Sequence, residues 1–256
     1  MNILILDIEN SPNVSYTWDQ WNVKYITPDA MIKPKEVMCF AAKWHGSDQP
    51  AEFWSAYPPV YEPAWRYHKE EMYEHAWELL NEADAVVHYN GRTHDIPHLN
   101  TGFLQRDWNP PSPFKHIDLL DTVKKHFNFP YNTLDYVSRE LGLGHKVDHE
   151  GMGLWVKCMK GDPVAWARME EYNRGDVLLT EALYDRLRPW IAGHPSEGAT
   201  TGQDGVCASC GAAELVREGY SYTKTGKYQR YSCRNCRAWL TDTKRMASTD
   251  IKEETR

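Results

Sequence analysis

The sequence predicts an α/β fold, a mixed sheet flanked by helices, followed along the chain by a small cysteine-bearing module. Three observations carry that prediction. The chain opens on a short apolar run that ends in two carboxylates, Ile3-Leu4-Ile5-Leu6-Asp7-Ile8-Glu9. Strand-like and helix-like patterns then follow one another as far as Trp190. Four of the six cysteines fall in two Cys-x-x-Cys pairs after residue 205.

Ile3 to Leu6 is too apolar for a half-exposed strand and too short for an isolated helix, which makes it a central strand covered on both faces. Side chains alternate along a strand, so Asp7 and Glu9 project from the same face. Adjacent negative charges repel, and hard oxygen ligands suit Mg²⁺ or Mn²⁺. By itself the pair is equally compatible with a turn-starting Asp7 beside a solvated Glu9.

Ser11 to Pro34 carries Tyr16, Trp18, Trp21 and Tyr25 without a period, and no element is assigned to it. Val37 to Trp44 and Ala51 to Ser55 read as a hairpin joined at His45-Gly46-Ser47-Asp48, with Cys39 a buried thiol. Met72, Ala76, Leu79 and Leu80 form a helical stripe over Lys69 to Ala83, which leads into the strand Ala85-Val86-Val87. Asp95 then follows a strand end, where ligands collect in open α/β sheets. It reads as the cap of a helix whose early Pro97 is tolerated in the first turn, and its position would let it face Asp7 and Glu9.

Lys115 to Leu120 reads as a strand or its entry into a helix, and Asn132-Thr133-Leu134 opens a helix that stops at Gly142. In the loop that follows, Lys146 is a candidate phosphate contact, and Cys158 a core thiol. Asp162-Pro163 starts a long helix to Trp190 with Leu179, Leu183 and Leu187 on its apolar stripe. Tyr172 and Asp176, four apart, share a face of that helix, and Gly175 between them permits a close approach.

At 256 residues the chain has room for one well-cored domain and a smaller one. Its formal charge of -7 argues against a generally basic coat, yet the charge is uneven: Lys+Arg against Asp+Glu is 19 to 28 over residues 1–195 and 10 to 8 beyond. No apolar stretch approaches the roughly 18 residues that span a membrane. The first residues lack a basic-then-apolar signal pattern, so a cytoplasmic protein with no membrane partner is expected.

Asp7-Ile8-Glu9 in the first strand, Asn90-x-x-x-x-Asp95-x-x-x-Leu99 in the middle and Tyr172-x-x-x-Asp176 near the domain's end together resemble the DEDD superfamily of 3′-5′ exonucleases, which share a ribonuclease H-like fold. The resemblance spans residues 1–190, and the tyrosine of the third motif is that of the DEDDy branch. It implies that Asp7, Glu9, Asp95 and Asp176 hold two Mg²⁺ or Mn²⁺ ions, about 3.5 to 4 Å apart, that activate the attacking water and stabilise the leaving 3′-oxygen. Tyr172 would orient that water, while Asn90 and Lys146 would contact substrate. The implied reaction is hydrolysis of nucleic acid, single-stranded DNA favoured over RNA, from its 3′ end to nucleoside 5′-monophosphates, with DNA replication and repair the expected setting. His94 departs from the phenylalanine common before the acid, a difference that bears on substrate positioning more than on metal binding. A non-catalytic nucleic-acid-binding scaffold and an endonuclease of the same fold are the competing readings.

The expected organisation is an exonuclease domain over residues 1–193, a linker over 194–205, a zinc ribbon over 206–246 and a disordered tail over 247–256. Cys207, Cys210, Cys233 and Cys236 have the spacing of a four-thiolate site for one structural Zn²⁺. Basic residues interleave with tyrosines and a tryptophan in this segment, and Arg230 and Tyr228 are candidate contacts to single-stranded nucleic acid. The same residues serve equally as the ribbon's core and solvated face, and a DNA polymerase or other replication protein is the alternative partner.

Overall fold

β1 (Ile3–Asn10) lies in the middle of a five-stranded sheet, and Ile3 to Leu6 are buried on both of its faces, as their apolar run requires. In this computed structural model residues 1–57 and 65–248 are described. The chain divides into two units, Asn2–Leu183 and a second from Tyr184 onward.

After β1, β2 (Val14–Ser15) and β3 (Met31–Lys33) form a small separate ribbon inside the aromatic stretch that showed no period. β4 (Val37–Trp44) and β5 (Glu52–Ser55) make the expected hairpin, and α1 (Trp65–Glu82) leads to β6 (Ala85–His88). α2 (Asp95–Gln105), β7 (Lys115–Asp118), α3 (Leu119–His126), α4 (Leu134–Glu140) and α5 (Met152–Met159) follow, and α6 (Pro163–Leu187) runs from this unit past Leu183 into the second. The sheet order is β5-β4-β1-β6-β7, with β4 antiparallel and β6 parallel to β1. It is the mixed α/β architecture that the sequence predicts.

The alternation of β1 decides where the chemistry goes. Leu4, Leu6 and Ile8 pack with Met72, Tyr73, Ala76 and Leu80 of α1 and Leu99 and Phe103 of α2. Asp7 and Glu9 therefore point to the opposite face. There α5 and α6 pack Leu154, Cys158, Trp166 and Met169 against Met38 and Cys39 of β4. Both predicted core thiols are buried, Cys39 on β4 and Cys158 on α5.

Gly102 lies inside α2, where glycine costs a helix roughly 1 kcal/mol relative to alanine. Its reason is steric, since a Cβ there would lie 2.1 Å from Cε1 of the buried Tyr73 ring. Gly102→Ala is accordingly expected to destabilise the protein by about 3 kcal/mol through overpacking. Urea unfolding followed by tryptophan fluorescence measures it, and Tyr73→Leu should restore most of the loss.

The helix that starts at Asp162 has its expected cap, because Asp162 Oδ1 accepts from the Val164 and Ala165 amides at 2.9 and 3.2 Å. It ends at Leu187 and tightens into a single 3₁₀ turn, Arg188–Trp190. In the second unit the stretch expected as a linker holds the short α7 (Glu197–Thr201). The Ser196 hydroxyl caps it by accepting from the Ala199 amide at 3.1 Å. β8 (Leu215–Tyr222), β9 (Gly226–Cys233) and β10 (Trp239–Ser248) then form an antiparallel sheet in the order β10-β9-β8. β10 runs two residues into the expected tail, and the remainder, 249–256, lies outside the described residues. Among the described residues no helix is long and apolar enough to cross a membrane.

Candidate active site

Three elements converge on one group of carboxylates. β1 supplies Asp7 and Glu9, and α6 crosses that face of the sheet with Tyr172, Asn173 and Asp176 on it. One oxygen from each of Asp7, Glu9 and Asp176 lies within 4.8 Å of the others. Asp95, at the start of α2, is buried outside this closest trio, and the charges of Asp7 and Glu9 still act on it.

Such crowding is costly unless a positive charge relieves it. Burial followed by the neighbouring Asp176 pushes the Asp7 carboxyl up to about 7. Burial and then Asp7 hold Glu9 well above the usual carboxylate range, and burial with Asp7 and Glu9 does the same to Asp95. Asp176 is fully buried and is raised by burial, against the pull of Lys146. Two oxygens are left over: among the described residues Asp176 Oδ1 and Asp95 Oδ2 are buried without a hydrogen-bond partner. Carboxylate oxygens that repel one another and still lack partners form a donor set that fits a hard divalent cation.

Lys146 reaches into this group from the loop after α4. Its ammonium donates to Asp176 Oδ2 at 2.6 Å and to the Tyr172 hydroxyl at 3.1 Å. Burial opposes that charge, but Asp176, Tyr172 and Asp7 outweigh it and raise the Lys146 pKa. The sequence suggested a phosphate contact for this lysine; the structure places it on the carboxylates, as their internal counter-charge. Lys146→Met is therefore expected to lower the melting temperature of the cation-free protein, and Mn²⁺ should raise that of the variant by more than that of the wild type. Equal shifts in the two proteins would show that Lys146 and the cation do not share the same charge.

Tyr172 is buried beside Asp176, and its phenol lies in an aromatic setting with His149 and Trp155 at ring distances of 4.9 and 5.9 Å. Burial, then Asp176, raises its pKa, so the hydroxyl stays protonated at neutral pH and acts through hydrogen bonds. Gly175 allows the Lys146 loop to come near α6: a Cβ there would meet Val147 Cγ2 at 3.1 Å.

Asp95 is not a helix cap. His94 takes the cap position without a side-chain hydrogen bond, and Asp95 is the first residue of α2, its carboxyl turned into the protein. The turn before it is tied down by Asp118, which accepts from the amides of Asn90 at 2.8 Å and Arg92 at 3.3 Å. Asn90 itself is exposed with φ 68°, and its Oδ1 accepts from the Thr93 hydroxyl at 3.1 Å. Gly91 has no room for a side chain, since a Cβ would lie 2.6 Å from His88 Cγ and 2.7 Å from Asp95 Oδ2. His94 Nε2 sits 3.1 Å from Asn10 Nδ2 at the end of β1.

Several residues of the site carried no sequence signal. Asn173 is fully buried and donates from Nδ2 to Asp7 Oδ2 at 2.7 Å, and a hydrogen bond from Trp155 acts on Glu9. A polar residue next to Tyr172 has no periodicity that marks it as inward-facing. Asp118 ends β7, but nothing local records its reach to the amides of Asn90 and Arg92. His88, 3.4 Å from Asp118 Oδ2, could not be paired with it from spacing.

With this geometry in place, a family model of the RNase_H superfamily matches residues 59–188, just over half of the chain. The chain belongs to the RNase_H superfamily. The fold of this superfamily is typical of nucleic-acid-processing hydrolases, and its nucleases use divalent metals. In this RNase_H superfamily member the matched range contains Asp95, Lys146, Tyr172 and Asp176, while Asp7 and Glu9 lie on the strand before it. No curated protein matches the chain.

A second donor set lies in the other unit. The sulfurs of Cys207, Cys210, Cys233 and Cys236 gather within 4.8 Å of one another. The Cys207–Cys236 and Cys210–Cys233 sulfurs are 3.6 and 3.7 Å apart, too far for a disulfide. Four thiolates about 2.3 Å from a tetrahedral ion would be separated by roughly 3.8 Å, so the cluster fits Zn²⁺. Arg230 and Tyr228, the candidate nucleic-acid contacts, both lie on β9 of this unit.

Proposed function

We propose that this protein is a metal-dependent 3′-5′ exonuclease that hydrolyses single-stranded DNA in preference to RNA and releases nucleoside 5′-monophosphates. The observation that carries the reading is the trio of Asp7, Glu9 and Asp176 oxygens within 4.8 Å, with the Tyr172 phenol beside it. The order Asp-x-Glu, Asp95, Tyr-x-x-x-Asp supports an exonuclease over other nucleases of this fold.

Asp7, Glu9, Asp95 and Asp176 would hold the divalent ions, which supply charge stabilisation and a more acidic water at the scissile phosphate. Asn173 fixes the Asp7 carboxyl, so that one ligand is positioned before substrate arrives. Tyr172 is a hydrogen-bonding phenol that orients the attacking water; it is too weakly acidic to serve as its base at neutral pH. Lys146 holds the counter-charge on Asp176 and the Tyr172 hydroxyl, and with the divalent ions bound its ammonium would be available to a substrate phosphate. The Gly91 turn keeps Asp95 against the group.

The test is digestion of 5′-labelled single-stranded DNA and RNA in Mg²⁺ or Mn²⁺, with the released product resolved by chromatography. A ladder that shortens from the 3′ end, with 5′-monophosphates as product and faster on DNA, is the expected result. Internal fragments would replace the exonuclease by an endonuclease, and an intact but bound oligonucleotide would leave a scaffold.

A further inference from the structure

We infer that one face of the β8–β9–β10 sheet is a stacking platform for single-stranded nucleic acid, built from Tyr228, Arg230, Trp239 and Arg245. This surface belongs to the second unit and does not depend on the carboxylate centre.

The pairing pattern puts these side chains together. Tyr228 and Arg230 are two apart on β9 and share a face. Across the ladder Arg245 pairs with Tyr228, Thr241 with Arg230 and Trp239 with Ser232, so all belong to the same side. The Arg230 guanidinium lies 4.6 Å from the Trp239 ring centroid, which confirms the shared face. Trp239 is 55% exposed, with the guanidinium over the ring and much of the indole open to solvent.

Two glycines give this face its shape. A Cβ on Gly219, where φ is 69°, would meet Arg230 Nη2 at 3.1 Å, and Arg230 Nε donates to the Glu218 carbonyl at 3.2 Å. A Cβ on Gly226 would lie 2.9 Å from both Arg245 Cδ and Tyr228 Cε2. The cationic and aromatic side chains thus lie along the sheet over bare backbone. A flat surface of rings and cations suits unstacked bases and their phosphates, and any base presents a π-face to it.

Burial and charge favour a polyanion as the occupant. Within the three strands only Cys233 is buried, and it packs with Leu215 and Leu240 on the opposite face, so the face of Tyr228 and Arg230 is not used up as a core. Over residues 206–248, Lys and Arg number 8 against 3 Asp and Glu, in a chain whose formal charge is -7. An acidic peptide would find the charge but does not bring a flat ring at every residue to the open Trp239 indole and the half-buried Tyr228.

The experiment uses the full-length, zinc-loaded chain carrying Asp7→Ala, so that the probe is not cut, and fluorescence anisotropy of a labelled oligothymidine 20-mer and of a duplex of the same length. Trp239→Ala and Arg230→Gln are each expected to weaken binding of the single strand roughly tenfold. Trp239→Phe, which keeps a ring, should lose less than threefold, and Tyr222→Ser on the opposite face less than twofold. Zinc content and the melting curve verify that each variant folds; if Trp239→Ala does not, Arg230→Gln and Trp239→Phe decide. Trp239→Ala and Arg230→Gln variants that both bind within twofold of the parent, or a duplex that binds as tightly as the single strand, would overturn the platform. Either result leaves the exonuclease reading to its own digestion test.

Discussion

Replacing Asp7 by alanine is expected to lower 3′-end hydrolysis by on the order of a thousandfold or more, while Tyr172→Phe lowers it only about 10- to 100-fold. The two residues differ in what they do to charge. Asp7 contributes one of three carboxylate oxygens within 4.8 Å, and its loss removes a ligand and several kcal/mol of cation-dependent stabilisation of the transition state. Tyr172 contributes a hydrogen bond beside that group, and phenylalanine leaves every carboxylate in place. Single-turnover cleavage at saturating Mn²⁺ separates the cases. Equal and complete loss in both variants would make Tyr172 more than an orienting residue. Asp7→Ala should fold at least as well as the wild type in the absence of cation, because it removes a carboxyl that burial and Asp176 already destabilise.

The second large effect is expected from zinc. The buried core around the thiolates consists of Cys207, Cys233 and Ala238 with a rim of partly buried neighbours, far too little apolar surface to hold three strands. Metal binding at such a site supplies about 10–16 kcal/mol of folding free energy. Chelation of Zn²⁺, or Cys233→Ser, should therefore abolish hydrogen-exchange protection across β8, β9 and β10. The amides of β1, β4 and β6 should keep theirs, since that sheet is stabilised by its own apolar core. Protection of β8–β10 that survives complete zinc removal would contradict a structural metal.

How much of this was legible in the sequence follows from what each pattern encodes. β1, the β4–β5 hairpin and α6 were readable because apolar periodicity and a cap such as Asp162 are local. The direction of Asp7 and Glu9 was readable too, since strand alternation leaves no choice once Leu4, Leu6 and Ile8 face α1 and α2. Between Ser11 and Pro34, β2 and β3 escaped because two- and three-residue strands have no period. Asp95 was read as a helix cap, but His94 takes the cap position; the informative signal was its place after a strand end, where the charges of Asp7 and Glu9 act on it. Lys146 looked like a solvated or phosphate-binding loop lysine because nothing local records its reach to Asp176, thirty residues on. Asn173 and Asp118 act through contacts that only the assembled sheet and helices create.

The most direct measurement is the anomalous diffraction of a crystal of this protein soaked in Mn²⁺. Density between Asp7, Glu9 and Asp176, with Lys146 moved off Asp176, is the predicted result. A carboxylate group that stays free of Mn²⁺ and keeps Lys146 in place, in a protein that still cleaves nucleic acid under the same conditions, would contradict it.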